Sequence, residues 1–193
     1  MNEQAKWWAG QAGEAYTARN RVKWRDRDQF WWNLVDRTDI RSAYEVGCNA
    51  GWNMSCIKAF GDTTVYGCDV NPIAVGQARA AGLDVFQGDA ITALANFPHP
   101  TFDLVFTAGV LIHIPPQTLP IVMHSIVNAS AQYVLAVEYE GDETMVEYRG
   151  ESDRLWRRHY GSLYEGMGLK LVDSGQVGPA DGFDNCTWWL LQK

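Results

Sequence analysis

Long apolar runs are missing from this chain. No stretch approaches the roughly 20 residues that a membrane-spanning helix needs, and the N-terminus lacks the apolar core of a secretion signal. A cytoplasmic location is therefore expected, with no membrane partner. Cysteine is scarce. The four (Cys48, Cys56, Cys68, Cys186) form no C-x-x-C and do not pair with the four histidines at metal-ligand spacing. Buried thiols are expected, and no metal. Positive charge is also in short supply: 16 Lys and Arg stand against 23 Asp and Glu, for a net charge of −7. Phosphate backbones are held by clustered cations, so nucleic acid is a poor partner. The one basic cluster, Arg154 to Arg158, is offset by Glu151 and Asp153. Repeats and low-complexity tracts are absent as well.

What is present suits one globular domain. Hydrophobic residues make up 47% of 193, enough for a full core. Nine tryptophans include pairs at 7–8, 31–32 and 188–189. Neighbours in a pair cannot face the same way, so ligand walls or an oligomer contact are expected uses besides the core.

The chain is organised around Tyr44-Glu45-Val46-Gly47-Cys48-Asn49-Ala50-Gly51. Ala43, Tyr44 and Val46 suit a buried strand. Gly47 and Gly51 permit a sharp turn, and Asn49 between them tolerates a left-handed backbone. Trp52 to Phe60 then has the length of a short helix, closed by Gly61. A helix opening under such a turn aims free N–H groups at whatever lies above the strand end. Thr64 to Tyr66 forms a second apolar run ending at Asp69, 18 residues after Gly51. A carboxylate at that strand tip can accept both hydroxyls of a ribose. Val85 and Phe86 lead to Asp89 at a third tip. Phe102 to Ile114 begins as a fourth strand and leaves it in an apolar loop.

This series resembles the class I S-adenosylmethionine-dependent methyltransferases. The resemblance implies that Glu45, Gly47, Asn49 and Gly51 surround the amino acid end of the cofactor. It places Asp69 and Val70 at the ribose, Asp89 and Ala90 at the adenine, and Thr107 on the strand lining the methyl donor. Asn49 departs from the family pattern, which has a glycine there. A narrower resemblance covers most of the chain. It is carried by Lys6-Trp7-Trp8-Ala9-Gly10, Tyr16-Thr17-Ala18-Arg19-Asn20, Gly109-Val110-Leu111-Ile112-His113-Ile114, Glu138-Tyr139, Tyr148-Arg149-Gly150 and Thr187-Trp188-Trp189-Leu190-Leu191. These are similar to the pseudaminic acid biosynthesis-associated methylases, which implies a small-molecule acceptor.

The rest of the chain fills in the fold. Lys6 to Arg19 has helical character, interrupted by Gly10 and Gly13, and residues 1–28 are expected as a lid whose Tyr16 and Arg19 reach the cofactor. Asp28 to Arg37 reads as a helix capped by Asp28, and Asn71-Pro72 opens another, stopped by Gly82. Leu119 to Val127 supplies a helix and Tyr133 to Val137 a fifth strand. Residues 141–153 have no clear period, and 139–153 are expected as an acceptor-side insert. Leu155 to Met167 predicts a helix. Leu169 to Val177 and Thr187 to Leu191 are the last two strands. Alternating strands and helices predict parallel pairing with right-handed crossovers. With the antiparallel edge that the resemblance implies, the expected fold is α/β: a three-layer, Rossmann-like, doubly wound sheet of seven mostly parallel strands with an antiparallel edge strand, in a single domain 1–193.

The acceptor side is open to more than one reading. His113 stands where the methyl group should emerge, either as a general base or as a pin holding its loop to backbone. Glu138 and Tyr139 leave the fifth strand nearby, and Tyr148 and Arg149 follow in the insert. Arg149 suits a carboxylate or phosphate on the acceptor, or is a solvated surface charge. The expected activity is methyl transfer from S-adenosyl-L-methionine, leaving S-adenosyl-L-homocysteine, to a small acceptor such as a sugar or another anionic metabolite. The alternatives are a nucleic-acid methyltransferase and a non-catalytic binder of the cofactor. A dehydrogenase is disfavoured because the turn lacks G-x-G-x-x-G spacing. The sequence does not bear on oligomeric state.

Overall fold

A computed structural model describes residues 2–20 and 23–193. The five parallel strands are β1 (Ser42–Val46), β2 (Thr64–Asp69), β3 (Asp84–Gln87), β4 (Phe102–Ala108) and β5 (Ser130–Glu138). Two later strands, β8 (Lys170–Val177) and β9 (Cys186–Gln192), extend the sheet in the order β3-β2-β1-β4-β5-β9-β8. β9 runs against both neighbours, one place in from the edge. The order reverses between β1 and β4, which opens a crevice above their C-terminal ends.

Helices cover both faces. On one side α3 (Asp28–Thr38), α4 (Trp52–Ala59) and α5 (Pro72–Ala80) bury Trp31, Leu34, Met54, Ile57, Val75 and Ala78. On the other, α6 (Ala90–Leu94), α7 (Leu119–Ala129) and α8 (Tyr160–Gly166) bury Leu94, Met123, Ile126, Tyr160 and Tyr164. Central β-strands are apolar on both faces because both are covered. The four cysteines are free and buried, as expected. Trp31 is core while Trp32 is exposed, and Trp7 and Trp8 sit in the N-terminal segment.

Two local expectations are corrected. Asp28 is the first residue of α3, not its cap; Arg27 holds the cap position, and its side chain makes no capping bond. The helix expected over Leu155–Met167 exists only as α8. Its first part belongs to a hairpin of β6 (Thr144–Tyr148) and β7 (Glu151–Arg157), in the stretch that showed no period. The turn residues Arg149 and Gly150 both have positive φ, 55° and 82°. That two-residue geometry matches the twist of paired strands. Asp153, at φ 56°, adds a bulge that breaks the alternation.

The N-terminal segment forms α1 (Glu3–Ala9) and α2 (Gln11–Arg19), which lie over the crevice. Asn71 seats them. Its Oδ1 caps α5 by accepting from Ile73 N and Ala74 N, while Nδ2 donates to Trp8 O at 3.1 Å and Gly10 O at 3.4 Å. Glycine is required at position 13, since an added Cβ would fall 1.9 Å from Trp8 O.

Candidate active site

The crevice is a cleft of about 1140 Å³. Its floor is the turn after β1, the tips of β2, β4 and β5, and the segment after β3. The turn is built from left-handed residues: Gly47 at φ 69°, Asn49 at 48° and Gly51 at 79°. Asn49 manages this by folding its side chain back, Oδ1 accepting from Ala50 N at 2.7 Å. Gly47 and Gly51 face protein. A Cβ on Gly47 would meet Val110 at 2.5 Å, and one on Gly51 would meet Leu83 at 2.2 Å. Gly51 shapes the turn without lining the cleft.

Glu45 is 2% exposed, and its carboxylate reaches the cleft. Oε1 accepts from Asn53 Nδ2 at 2.6 Å, and Oε2 has no partner. Burial pushes this carboxyl up to about 8, against the pull of Asn53 and the Arg27 charge. Its observed side-chain donor thus comes from α4, a residue that sequence reasoning missed. Asn53 is held in turn: its Oδ1 accepts from Arg27 Nη1 at 2.7 Å and Trp31 Nε1 at 3.1 Å. Asn53 is the second residue of α4, and no motif marks it.

Asp69 lines the cleft and ties two loops together. Oδ2 accepts from Asn49 N and Oδ1 from Asn71 N, both at 2.8 Å. Burial raises its pKa, and these N–H groups oppose the rise. Val70, Asp89 and Ala90 line the next part. Asp89 is also the cap of α6, with Oδ1 accepting from Thr92 N and Oγ1 at 3.0 Å each. Thr107 does not line the cleft; it is buried within β4 beneath the floor, and Ala108, Gly109 and Val110 form the surface above.

The cleft is also lined by Trp8, Tyr16, Arg19, His113, Tyr139, Tyr148 and Arg149. Tyr16 lies edge-on to Trp8 at 5.6 Å, beneath the Arg19 guanidinium. Arg19 Nη2 donates to the Tyr148 hydroxyl at 3.1 Å, joining α2 to the hairpin. Tyr139 donates to Asp184 Oδ2 at 2.8 Å. His113 is packed between Trp8 and Tyr148, and its Nδ1 is 2.6 Å from the Arg154 carbonyl. A carbonyl only accepts, so Nδ1 carries the proton. Burial lowers the pKa of His113 to about 4. Of its two readings, the loop pin is the one with an observed bond.

Glu138 is corrected outright. It is fully buried, away from the cleft, and its oxygens accept from Val110 N, Leu111 N and Ile112 N at 3.1–3.4 Å. It shapes the loop after β4. The basic cluster is dispersed: Arg158 is 3% exposed and Arg154 Nη1 donates to Gln4 Oε1 at 2.9 Å. Cleft residues that sequence reasoning did not single out include Arg27, Asn53, Phe183 and Asp184. Among the described residues there is no group of three metal-ligating side chains and no helix able to cross a membrane.

The cofactor suggested by the sequence fits this floor. The unpartnered Glu45 oxygen suits an ammonium, the acids at the next two strand tips suit hydroxyl and amino groups, and Val46, Ala108, Val110 and Val137 give apolar contact.

Residues 43–132 match the family model described as a methyltransferase domain. No curated protein matches the chain. Among solved structures, magnesium protoporphyrin IX methyltransferase from Synechocystis PCC 6803, with S-adenosylmethionine bound, aligns over 100% of this chain and 98% of its own. The TM-score is 0.68 and the identity 13%. The 1,6-didemethyltoxoflavin-N1-methyltransferase of Burkholderia thailandensis, with S-adenosylhomocysteine bound, gives 0.71 at 15% identity over 94% and 82%. Mitomycin 7-O-methyltransferase gives 0.71 at 16% identity over 98% and 60%. The domain match is in line with the expected methyltransferase reading, and the shared fold bears out the expected doubly wound sheet.

Proposed function

We propose that the protein transfers a methyl group from S-adenosylmethionine to a small anionic acceptor, as a single domain whose residues 2–20 close over the cofactor. The observation that carries this is the lining of the cleft, which combines a buried carboxylate whose second oxygen has no protein partner with two arginines among aromatic rings. The volume of about 1140 Å³ exceeds the range of about 300–1000 Å³ usual for one ligand, which suits two. Small-molecule methylation is also what the names of the similar structures state for those proteins. The pseudaminic acid-associated resemblance narrows the proposal to acidic sugars and related metabolites as the first acceptors to test.

When bound, the cofactor supplies a methyl carbon activated by a sulfonium. Glu45, Asp69 and Asp89 hold and orient it. The apolar strand tips and the N-terminal helices exclude water. Arg19 and Arg149 neutralise the acceptor. Tyr139, its proton held by Asp184, keeps oxygen lone pairs facing the cleft for an acceptor O–H or N–H. Positioning is the main contribution, since the carbon is already activated.

The test is calorimetric titration with S-adenosylmethionine and S-adenosylhomocysteine, then transfer of labelled methyl to a panel of acidic sugars. Binding of both, and label on one acidic acceptor, is the expected outcome. Binding with no transfer to any panel member would favour the non-catalytic alternative. Absence of binding by the folded protein would overturn the proposal.

A further inference from the structure

Resting on this cofactor site, we propose that Arg27 is a positioning residue that joins two parts of the cleft wall. Through Asn53 it orients Glu45, and through Gly182 it holds the loop between β8 and β9. The loop and Glu45 are then one mechanical unit, so that order at the acceptor end is felt at the ammonium pocket.

The guanidinium makes each link with a different atom. Nη1 donates to Asn53 Oδ1 at 2.7 Å, Nε donates to the Gly182 carbonyl at 2.9 Å, and the plane lies 4.2 Å over the Phe183 ring. Asn53 is buried, and its amide has chemically opposite ends. Two donors, Arg27 and Trp31, meet its oxygen, so its NH₂ must face the carboxylate. A flipped amide would set N–H against N–H and oxygen against oxygen. Arg27 thereby fixes which end of Asn53 Glu45 sees, and one Glu45 oxygen is left for a ligand.

On the other side, Gly182 has φ 75°. A Cβ there would lie 3.0 Å from Arg27 Cγ and from Asp26 Cβ. The loop is therefore seated directly on Arg27. Phe183 and Asp184 follow in the same cleft wall. Asp184 accepts a hydrogen bond from the Tyr139 hydroxyl at 2.8 Å, so the unit extends to the tip of β5.

The charged and titratable groups that reach Glu45 are Arg27 from the turn before α3, Asp69 from β2, Cys48 beyond β1 and Cys56 from α4. Only Arg27 is a cation. Its removal leaves burial and Asp69 to hold Glu45 protonated, while a ligand ammonium needs the carboxylate. Binding must then release a proton from Glu45 over a higher pH range.

The experiment measures S-adenosylhomocysteine binding by calorimetry from about pH 6.5 to 8.5, in buffers of different ionisation heat so that released protons are counted. The variants are Arg27→Met, Arg27→Lys and Gly182→Ala, each checked for folding by thermal melting. Wild type is expected to release close to one proton near neutral pH. Arg27→Met should bind about tenfold more weakly there, with its affinity rise displaced upward by about one pH unit. Arg27→Lys should fall between. Gly182→Ala should shift the profile in the same direction although it touches neither Glu45 nor Asn53; it decides the matter if Arg27→Met does not fold. A loss equal at every pH would overturn the proposal, because a direct ligand contact or a general weakening of the fold gives that result. An unchanged profile in Gly182→Ala would overturn the link to the loop. Wild type failing to bind would remove the cofactor site itself, which is a separate and visible outcome.

Discussion

Asp69 holds Asn49 N and Asn71 N and still faces the cleft, so it combines two tasks in one carboxylate. Asp69→Ala removes the proposed ribose acceptor and strands two backbone donors. It should lose S-adenosylhomocysteine binding in calorimetry and cost about 1–3 kcal/mol in denaturant unfolding. Asp69→Asn should lose binding with a smaller stability cost, because one acceptor oxygen remains. His113 shows the opposite balance. It was an attractive base by position, yet burial and the Arg154 carbonyl leave it neutral with Nδ1 protonated. In a histidine NMR titration its ring should stay neutral down to about pH 4. The exposed His159, raised by hydrogen bonds to Glu140 and then Asp142, should titrate above its ordinary range. A His113 resonance moving near pH 6.5 would restore the base reading.

At the scale of elements, the cofactor floor and its cover are joined at Asn71. One side chain caps α5 with its oxygen and seats the α1–α2 junction with its nitrogen. Asn71→Asp keeps an acceptor for the cap and loses the donor. Amide hydrogen exchange across residues 3–19 should then accelerate by about tenfold or more, while α5 keeps its protection. Equal acceleration in both would mean that the substitution unfolds the α5 start instead. The hairpin of β6 and β7 is the matching cover from the other side, tied to α2 by the Arg19–Tyr148 bond. Its sequence hid because the bulge at Asp153 breaks the period and Arg149 is an uncommon residue for a left-handed turn position.

Over the whole molecule, buried carboxyls set the pH response. Burial raises Glu45 to about 8 and Glu138 to about 7, well above their unfolded values. Folded protein then binds more protons than unfolded, and each group's stability is lost as pH rises through its folded pKa. His113 is lowered, so it acts in the opposite sense, but only below about pH 6.5. Between about pH 6.5 and 8 the carboxyls prevail, and the melting temperature should fall. The slope is at most about 1.4 kcal/mol per pH unit for each group. His159 tilts the same way from the surface. Glu45→Gln should flatten the curve above about pH 7, where Glu138 has already ionised. A melting temperature level across this window would contradict the assignment.

The sequence by itself determined the doubly wound sheet, the glycine–asparagine turn, and the acids at successive strand tips. Those features are local: a strand's apolar run, the turn that ends it and the helix cap that follows lie within a few residues of one another, and periodicity reports them directly. Asn71-Pro72 was legible as a cap for that reason. The second use of Asn71 was not, because Trp8 and Gly10 lie some 60 residues away in the chain. The same holds for Glu138, which looked like a site residue until the loop after β4 was seen folded onto its carboxylate. Arg27 carries no motif at all. Its role exists only because α4 and the β8–β9 loop approach it from 26 and 155 residues away. A buried polar group must find partners wherever the fold brings them, so the identity of those partners is decided by tertiary packing and not by spacing along the chain.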